Sequence, residues 1–298
     1  DGRHDASDIG KQIADESYDD RIKSALQMLS EQKEKYLSPD ALETYSPKFL
    51  RMLENIINPE NKGLHLIYSQ FRTLEGIGVF KLVLEANGFA EFKIKQIGGN
   101  WSLDIQSKDF GKPMFALYTG TESPEQKEIV RKVYNGEWDA IPPSLEAQVR
   151  RISGNNLYGE VIKVFMITAS GAEGINLKNT RFVHITEPYW HPVRMQQVIG
   201  RARRICSHQL LPEALRTVKV FLYLMQFSKE QLDGDETIEL RLKDVSKLDA
   251  TKPITSDEAL YEIARLKEDV TDKLLYAVKE ASIDCSLHSG ADSDEKLQ

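Results

Sequence analysis

Cysteine is almost absent. The 298 residues hold two, Cys206 and Cys285. That excludes a disulfide framework and a cysteine-rich zinc site, and makes a reducing compartment the default expectation. Long apolar runs are absent too. None reaches the roughly 18 residues that a membrane-spanning helix needs, so no membrane role is expected. The first twenty residues are acidic and polar, so no signal peptide is expected, and Asp1 in place of an initiating Met points to an excised or processed piece. The six histidines (4, 65, 184, 191, 208, 288) show no ligand spacing with Cys, Asp or Glu, and no metal is expected. No internal repeat is visible.

What remains is an ordinary globular composition, 41% hydrophobic and 29% charged, in a chain long enough to bury a core. The charge is unevenly spread. Residues 1–60 carry a net −5 and residues 228–298 a net −8, while 61–227 carry +6. Within that middle, 191–219 hold six basic residues and one acidic. A basic core between acidic ends is compatible with phosphate binding; a solvated basic face fits the charge equally well.

Periodicity predicts helices over 17–36, from Ser46-Pro47 to Asn58, through Leu74–Leu84, from Ser123-Pro124 to Tyr134, near Leu145–Arg151, and over 193–205 and 256–283. Strands are predicted at Leu64–Tyr68, Phe92–Ile97, Met114–Tyr118, Val161–Thr168, Phe182–Thr186 and Val218–Leu224, with Gly98–Lys112 as loop. Strands alternating with helices give an α/β fold with a mainly parallel sheet covered on both faces. Residues 1–45 read as a helical or linker segment, 46–227 as the main domain, 228–285 as an acidic linker and long helix, and 286–298 as a disordered tail.

Two segments carry chemistry. Thr168-Ala-Ser-Gly-Ala-Glu-Gly174-Ile-Asn176-Leu follows a strand, and its glycines let backbone turn sharply beside a ligand. Gln197-Val-Ile-Gly200-Arg201-Ala-Arg203-Arg204 puts three arginines within four positions of a predicted helix. Arg201 and Arg204, three apart, would share one face, and two guanidinium forks facing one way suit a phosphate clamp. A turn made for packing, and a solvated helix face with Val198, Ile199 and Ile205 buried behind it, are the plainer alternatives. Trp101, among Lys93, Lys95, Lys108 and Lys112, could stack on a base, but a loop tucked on the core is favoured. Cys206 lies beside basic residues, and a packing role is favoured for it.

Taken together, and in order, these segments resemble the second RecA-like lobe of superfamily 2 helicases. Tyr68-Ser69-Gln70-Phe71 resembles motif IV, Thr168–Leu177 motif V, and Gln197-x-x-Gly200-Arg201-x-x-Arg204 motif VI. Trp190-His191-Pro192 is similar to the Trp-Asn-Pro of Swi/Snf-type translocases. Tyr118-Thr119-Gly120, Asn156–Glu160, Glu187–Trp190 and the Gly200–His208 run resemble the ATPases of nucleocytoplasmic large DNA viruses, a group that includes the poxvirus early transcription factor ATPase subunit and nucleoside triphosphatase I. The resemblance covers about 46–285, ending on Thr255–Glu258 and Ile283–Cys285.

The resemblance implies a RecA-like three-layer sandwich with helical N-terminal and C-terminal extensions. It implies Arg204 as arginine finger with Arg201 as its phosphate-facing neighbour, and Gln197, Gly174, Asn176 and Gly200 near the nucleotide. It also implies Ser69, Gln70 and Thr168 at the nucleic-acid backbone. The chain has no Gly-x-x-x-x-Gly-Lys-Ser/Thr loop, and Asp257-Glu258 sits in a helix-cap context. ATP and Mg²⁺ would therefore be held mainly by an N-terminal RecA-like lobe outside this chain. The implied whole is an ATP-dependent translocase on nucleic acid, duplex DNA foremost, acting in viral transcription in a virion or cytoplasmic viral factory. RNA polymerase is a candidate partner, and this chain alone is expected to be inactive. The rival is a non-catalytic RecA-like module that docks transcription machinery.

Overall fold

The structure is a computed structural model of the 298-residue chain, and it describes residues 18–74, 76–120, 122–169, 174–233, 245–249 and 251–282. Most of the first twenty residues and the 286–298 tail lie outside the described residues. So does Gly171 of the glycine-containing turn.

The helical start is α1 (Tyr18–Glu31), α2 (Lys33–Leu37), α3 (Pro39–Tyr45) and α4 (Pro47–Ile57). The single predicted helix over 17–36 is interrupted at Gln32. Each cap is written in the sequence: Ser38 and Ser46 accept from Ala41 and Phe49 backbone N–H groups, with proline at the first helical position. Then come β1 (Leu64–Tyr68), α5 (Ile77–Ala86), β2 (Ala90–Glu91), β3 (Ile94–Ile97), β4 (Asn100–Leu103) and β5 (Met114–Tyr118). They are followed by α6 (Pro124–Tyr134), α7 (Pro143–Ile152), β6 (Val164–Ile167), β7 (Thr180–Ile185), α8 (Pro192–Ala202), β8 (Lys219–Leu222), α9 (Lys229–Asp233) and α10 (Ser256–Ala281).

Six strands form one parallel sheet in the order β2-β5-β6-β1-β7-β8. Strands β1, β6 and β7 are buried along their whole length; β6 accordingly reads as an unbroken apolar run, while β1 and β7 also bury His65, Thr180, Arg181 and His184. One face carries Ile67, Val164 and Met166 into a core with Leu37, Leu42, Phe49, Met52, Ile56 and Phe80. Helices before residue 46 thus contribute to the same core as the sheet. On the other face Tyr134 of α6 lies against Phe165, ring centroids 4.7 Å apart. Helix, sheet and helix make the three layers of the expected α/β sandwich.

The predicted strand Phe92–Ile97 and loop 98–112 need correction. Only Ala90–Glu91 joins the main sheet; Ile94–Ile97 and Asn100–Leu103 form a separate antiparallel hairpin. Gly98 and Gly99 both have positive φ, 57° and 82°, the backbone that a two-residue hairpin turn demands. A Gly-Gly pair between short mixed runs was the available signal.

Two compact units result. One runs to Glu187 and takes in Gln197–Tyr223; the other joins Pro188–Gln196 to the chain from Leu224 onward. In the second, Thr255 and Glu258 form a reciprocal capping box that opens α10, so Asp257-Glu258 does act as a helix cap. Toward its C-terminal end α10 leaves Val270, Leu274, Leu275, Tyr276 and Val278 exposed.

Candidate functional site

The candidate residues sit at opposite ends of the parallel strands. At the carboxyl end of β1, Ser69 is 1% exposed. Its hydroxyl donates to Glu187 Oε1 at 2.9 Å and accepts from the Phe71 backbone N–H at 3.1 Å. The same Glu187 oxygen accepts from the Gln70 backbone N–H. A buried carboxylate, two residues past β7, therefore holds the loop after β1 closed by charge-assisted bonds. Gly76 completes the loop. A Cβ there would lie 2.1 Å from the Phe71 carbonyl oxygen and 2.3 Å from Ser69 Oγ, so no side chain fits.

At the carboxyl end of β6, Thr168 is also buried, and its hydroxyl donates to the Thr119 carbonyl at 3.2 Å. At the neighbouring end of β5, Glu122 accepts from the Thr119 and Gly120 backbone N–H groups, both at 3.1 Å. The Ser69 and Thr168 hydroxyls are thus turned inward, to bonds with neighbouring loops. Among the described residues of the loop after β1, Gln70 is half-buried and Phe71, Arg72 and Thr73 are exposed. Sequence reasoning missed Glu187, Glu122 and Arg72. The Glu-Pro-Tyr-Trp run and the Thr-Gly turn drew attention only as resemblances, because a carboxylate bonding backbone across strands leaves no local pattern.

The other end gathers the arginines. The segment from Gly174 (φ 73°) leads back to the amino end of β7. There the Leu177 N–H donates to the Arg201 carbonyl at 3.4 Å and the Asn179 N–H to the Ser207 carbonyl at 2.8 Å. His208 Nε2 lies 2.7 Å from the Thr180 carbonyl oxygen, with Nδ1 2.8 Å from the Ser207 hydroxyl. These bonds tie the end of α8 to the start of β7. The Asn176 carbonyl is held by Asn135 Nδ2 at 3.1 Å and Arg131 Nη1 at 3.4 Å. Its side-chain oxygen, like Arg201 Nε, is buried with no protein hydrogen-bond partner. Gln197 is exposed, and a Cβ on Gly200 would meet nothing within 4 Å. Packing inside this chain therefore gives no reason for glycine at 200.

Three sequence expectations change here. Helix α8 ends at Ala202, so Arg204 lies beyond it and the shared helical face of Arg201 and Arg204 does not exist as drawn. Arg203 and Arg204 instead line one cavity, of about 670 Å³, whose lining does not include Arg201. Ile205 is 96% exposed rather than buried behind the arginines. Cys206, with φ 64°, is exposed rather than packed.

Trp101 is buried at 6% exposure and donates to Glu125 at 2.9 Å. The lysines near it are matched by carboxylates, Lys93 with Glu91, Lys95 with Asp104 and Lys112 with Asp109. It is a core residue of the hairpin, not a stacking platform. In the second unit, Trp190 is 45% exposed, Lys267 Nζ lies 3.7 Å from its ring centre, and Arg194 stands over Tyr189 at 4.5 Å. Among the described residues no group of three His, Cys, Asp or Glu could hold a metal ion.

Between the two ends, inside the sheet, lies a buried polar chain. His65 Nδ1 is 2.9 Å from His184 Nε2, His184 Nδ1 is 2.8 Å from the Tyr223 hydroxyl, and Asn55 Nδ2 donates to that hydroxyl at 2.9 Å. Burial lowers the His184 pKa to about 3, and burial with the His184 neighbour holds His65 well below its ordinary value.

Comparison with known proteins agrees with this geometry. Residues 48–206 match the helicase conserved C-terminal domain family. R350 of Acanthamoeba polyphaga mimivirus, named as an ATP-dependent RNA helicase, is 32% identical over 243 residues, 81% of this chain and 24% of its own length. The termination factor NPH-I homolog of African swine fever virus (isolate Pig/Kenya/KEN-50/1950) is 36% identical over 217 residues, 69% of this chain and 28% of its own. This chain thus spans about a quarter of the length of the relatives it matches. The C-terminal part of the Fun30 ATPase domain superposes with a TM-score of 0.43 at 14% identity, covering 88% of this chain and 66% of that one, a likeness too loose to build on. The family match covers more than half of the residues and spans β1 to the end of α8: the chain belongs to the helicase conserved C-terminal domain family.

Proposed function

We propose that the chain is the second lobe of a nucleic-acid-dependent ATPase that moves on duplex DNA during viral transcription, in a virion or cytoplasmic viral factory. The observation that carries this reading is the arginine-bearing end of α8. Its backbone is bonded to residues 177–180, while Arg201 Nε is left without a protein acceptor. An unpaired buried donor costs about 1–3 kcal/mol, which is reasonable where an anion from another lobe completes it. Gly200 fits the same account, since open space over its Cα admits close approach from outside the chain.

The carboxylates near this end, Glu128 and Glu137, are already paired with Arg131 and Lys178, so the remaining cations and amides suit nucleotide phosphates rather than a metal. Mg²⁺ with ATP would supply neutralisation of phosphate charge, and its ligands would belong to the N-terminal lobe. Arg204, exposed just past the end of the helix, is the finger that neutralises charge on the transferring phosphoryl group. Arg201 and Gln197 orient it and form the interlobe contact, and Gly174 and Asn176 shape the turn beneath. At the opposite end, the loop after β1 would offer Gln70 and the exposed Arg72 to nucleic-acid phosphates, with Ser69 positioning it from inside and Thr168 tying the end of β6 to the loop after β5. Contacts of that kind carry no sequence information, so binding should be sequence-independent and salt-sensitive. The names of the relatives, a helicase and a termination factor homolog, support a role in nucleic-acid transactions and transcription, with RNA polymerase as a partner.

The deciding experiment is an ATPase assay of the full-length protein with duplex DNA, single-stranded DNA and RNA as activators, wild type beside Arg204→Ala. Loss of stimulated turnover with ATP binding retained supports the finger. Unchanged turnover favours the rival, a docking module without catalysis, for which the exposed apolar side chains of α10 are the supporting feature. This chain by itself should hydrolyse no ATP.

A further inference from the structure

The cavity beside α8 has chemistry that the nucleotide-facing residues do not use. Its lining includes Ile199, Arg203, Arg204, Cys206, Arg216 and Thr217, and no Asp or Glu lines it. Arg216 is fixed in place, donating from Nε to the Leu211 carbonyl at 2.8 Å and from Nη2 to the Gln209 carbonyl at 3.1 Å. Neutral carbonyls hold the guanidinium without cancelling its charge. Arg203 and Arg204, both exposed, line the same cavity. Three guanidinium groups around one opening repel each other, and such crowding persists where an anion relieves it. Because Arg216 is held before any ligand arrives, little side-chain entropy is lost on binding.

We propose that this cavity is an anion site of the lobe itself, taking an oligophosphate, a pyrophosphate or triphosphate unit. One phosphate group satisfies one or two guanidinium forks. Three forks and the Thr217 hydroxyl around about 670 Å³ call for several linked phosphates. Arg203 and Arg216 carry the site; neither belongs to the Gln197–Gly200–Arg201 set, and Arg201 is not on the lining. Arg204 borders both, so the site does not depend on its being the catalytic finger.

Cys206 supplies a readout without activity. It is exposed and on the cavity wall, so a bound oligophosphate should shield its thiol. The 298-residue chain is treated with N-ethylmaleimide and labelling at each cysteine is followed by peptide mass mapping, with Cys285 as reference. Tripolyphosphate should slow labelling of Cys206 saturably and leave Cys285 unchanged, and orthophosphate should protect far more weakly. Arg203→Gln should raise the half-protecting concentration roughly tenfold or more, the worth of a charge-assisted hydrogen bond. Arg203 is exposed, so this variant tests the site even if Arg216→Gln disturbs its loop. Absence of protection by tripolyphosphate, or protection unchanged in Arg203→Gln, would overturn the proposal. So would protection by a short duplex DNA but not by tripolyphosphate, which would give the cavity to the nucleic-acid backbone. Loss of protection in Arg201→Gln equal to that in Arg203→Gln would move the anion to the nucleotide-facing side and overturn it as well. Retained turnover in Arg204→Ala full-length protein would sink the finger while leaving this site standing.

Discussion

The carboxyl and amino ends of the same six strands are built on opposite plans. At the carboxyl end, Glu187 and Glu122 accept from the Gln70, Thr119 and Gly120 backbone N–H groups after β1 and β5, and the Ser69 and Thr168 hydroxyls are bonded inside. At the amino end Arg131 and Lys178 are matched by Glu128 and Glu137, but the Arg201 guanidinium and the Asn176 amide keep unpaired buried atoms, whereas the carboxyl end leaves the neutral Thr186 hydroxyl in that state. One end trades its polar groups for rigidity; the other keeps unspent polarity at a cost in stability. A surface that must receive a ligand from another lobe gains from the second arrangement, because its donors are not already occupied.

The largest expected effect breaks the amino end. Arg204→Ala in the full-length protein should lower nucleic-acid-stimulated turnover by about 10³–10⁵ with ATP binding largely kept, and Arg204→Lys should not restore it. Steady-state kinetics beside nucleotide-binding titrations check this.

The next breaks the carboxyl end. Glu187→Ala removes the acceptor of the Gln70 N–H and leaves the Ser69 hydroxyl only the Phe71 carbonyl, 3.2 Å away, and should cost roughly 1–3 kcal/mol, the penalty of an orphaned donor. Glu187→Gln keeps an acceptor and should cost less. Urea unfolding measures both. Equal losses would mean that the charge, not the hydrogen bonding, closes the loop.

Gly76→Ala sharpens the same point sterically, since its methyl would overlap the Phe71 carbonyl oxygen and Ser69 Oγ. A loss of roughly 1–3 kcal/mol is expected from such overpacking, read as a fall in thermal midpoint.

The smallest per unit change is acid. His65 and His184 stay neutral when folded, with depressed pKa values, and take up protons when unfolded. Their stabilisation is complete above the unfolded pKa near 6.5. It falls as pH drops below it, by up to about 1.4 kcal/mol per pH unit for each imidazole. For His184 the decline runs on toward pH 3. His184→Phe should flatten the slope of unfolding free energy against pH between 7 and 5; an unchanged slope would assign acid lability elsewhere.

Much of this was legible without coordinates. Buried parallel strands announce themselves as apolar runs, and Leu64–Tyr68 and Met114–Tyr118 fall where the sequence puts them. Ser46, Ser123 and Thr255 mark helix starts because caps are local chemistry. The hairpin was misread because Ile94–Ile97 follows a two-residue strand so closely that the pair looks like one run. The face shared by Arg201 and Arg204 was misread because helical spacing was carried past the end of the helix. Glu187 was invisible as a loop staple because its partners lie 117 and 118 residues away. The relation is one of tertiary contact, to which periodicity is blind.

Strand order has a further consequence, for synthesis. β1 lies at the centre of the sheet, but both of its neighbours, β6 and β7, are encoded about a hundred residues later. While the ribosome is still short of Val164, Leu64–Tyr68 exists with two open edges and no ladder to join. Such a segment is a template for any other extended chain nearby. Closing it requires a long loop to be paid off entropically before the first rung forms, which makes folding slow. The nascent chain is therefore most exposed to misassembly over that stretch of translation, and a truncation ending before residue 164 should aggregate where the complete sheet does not.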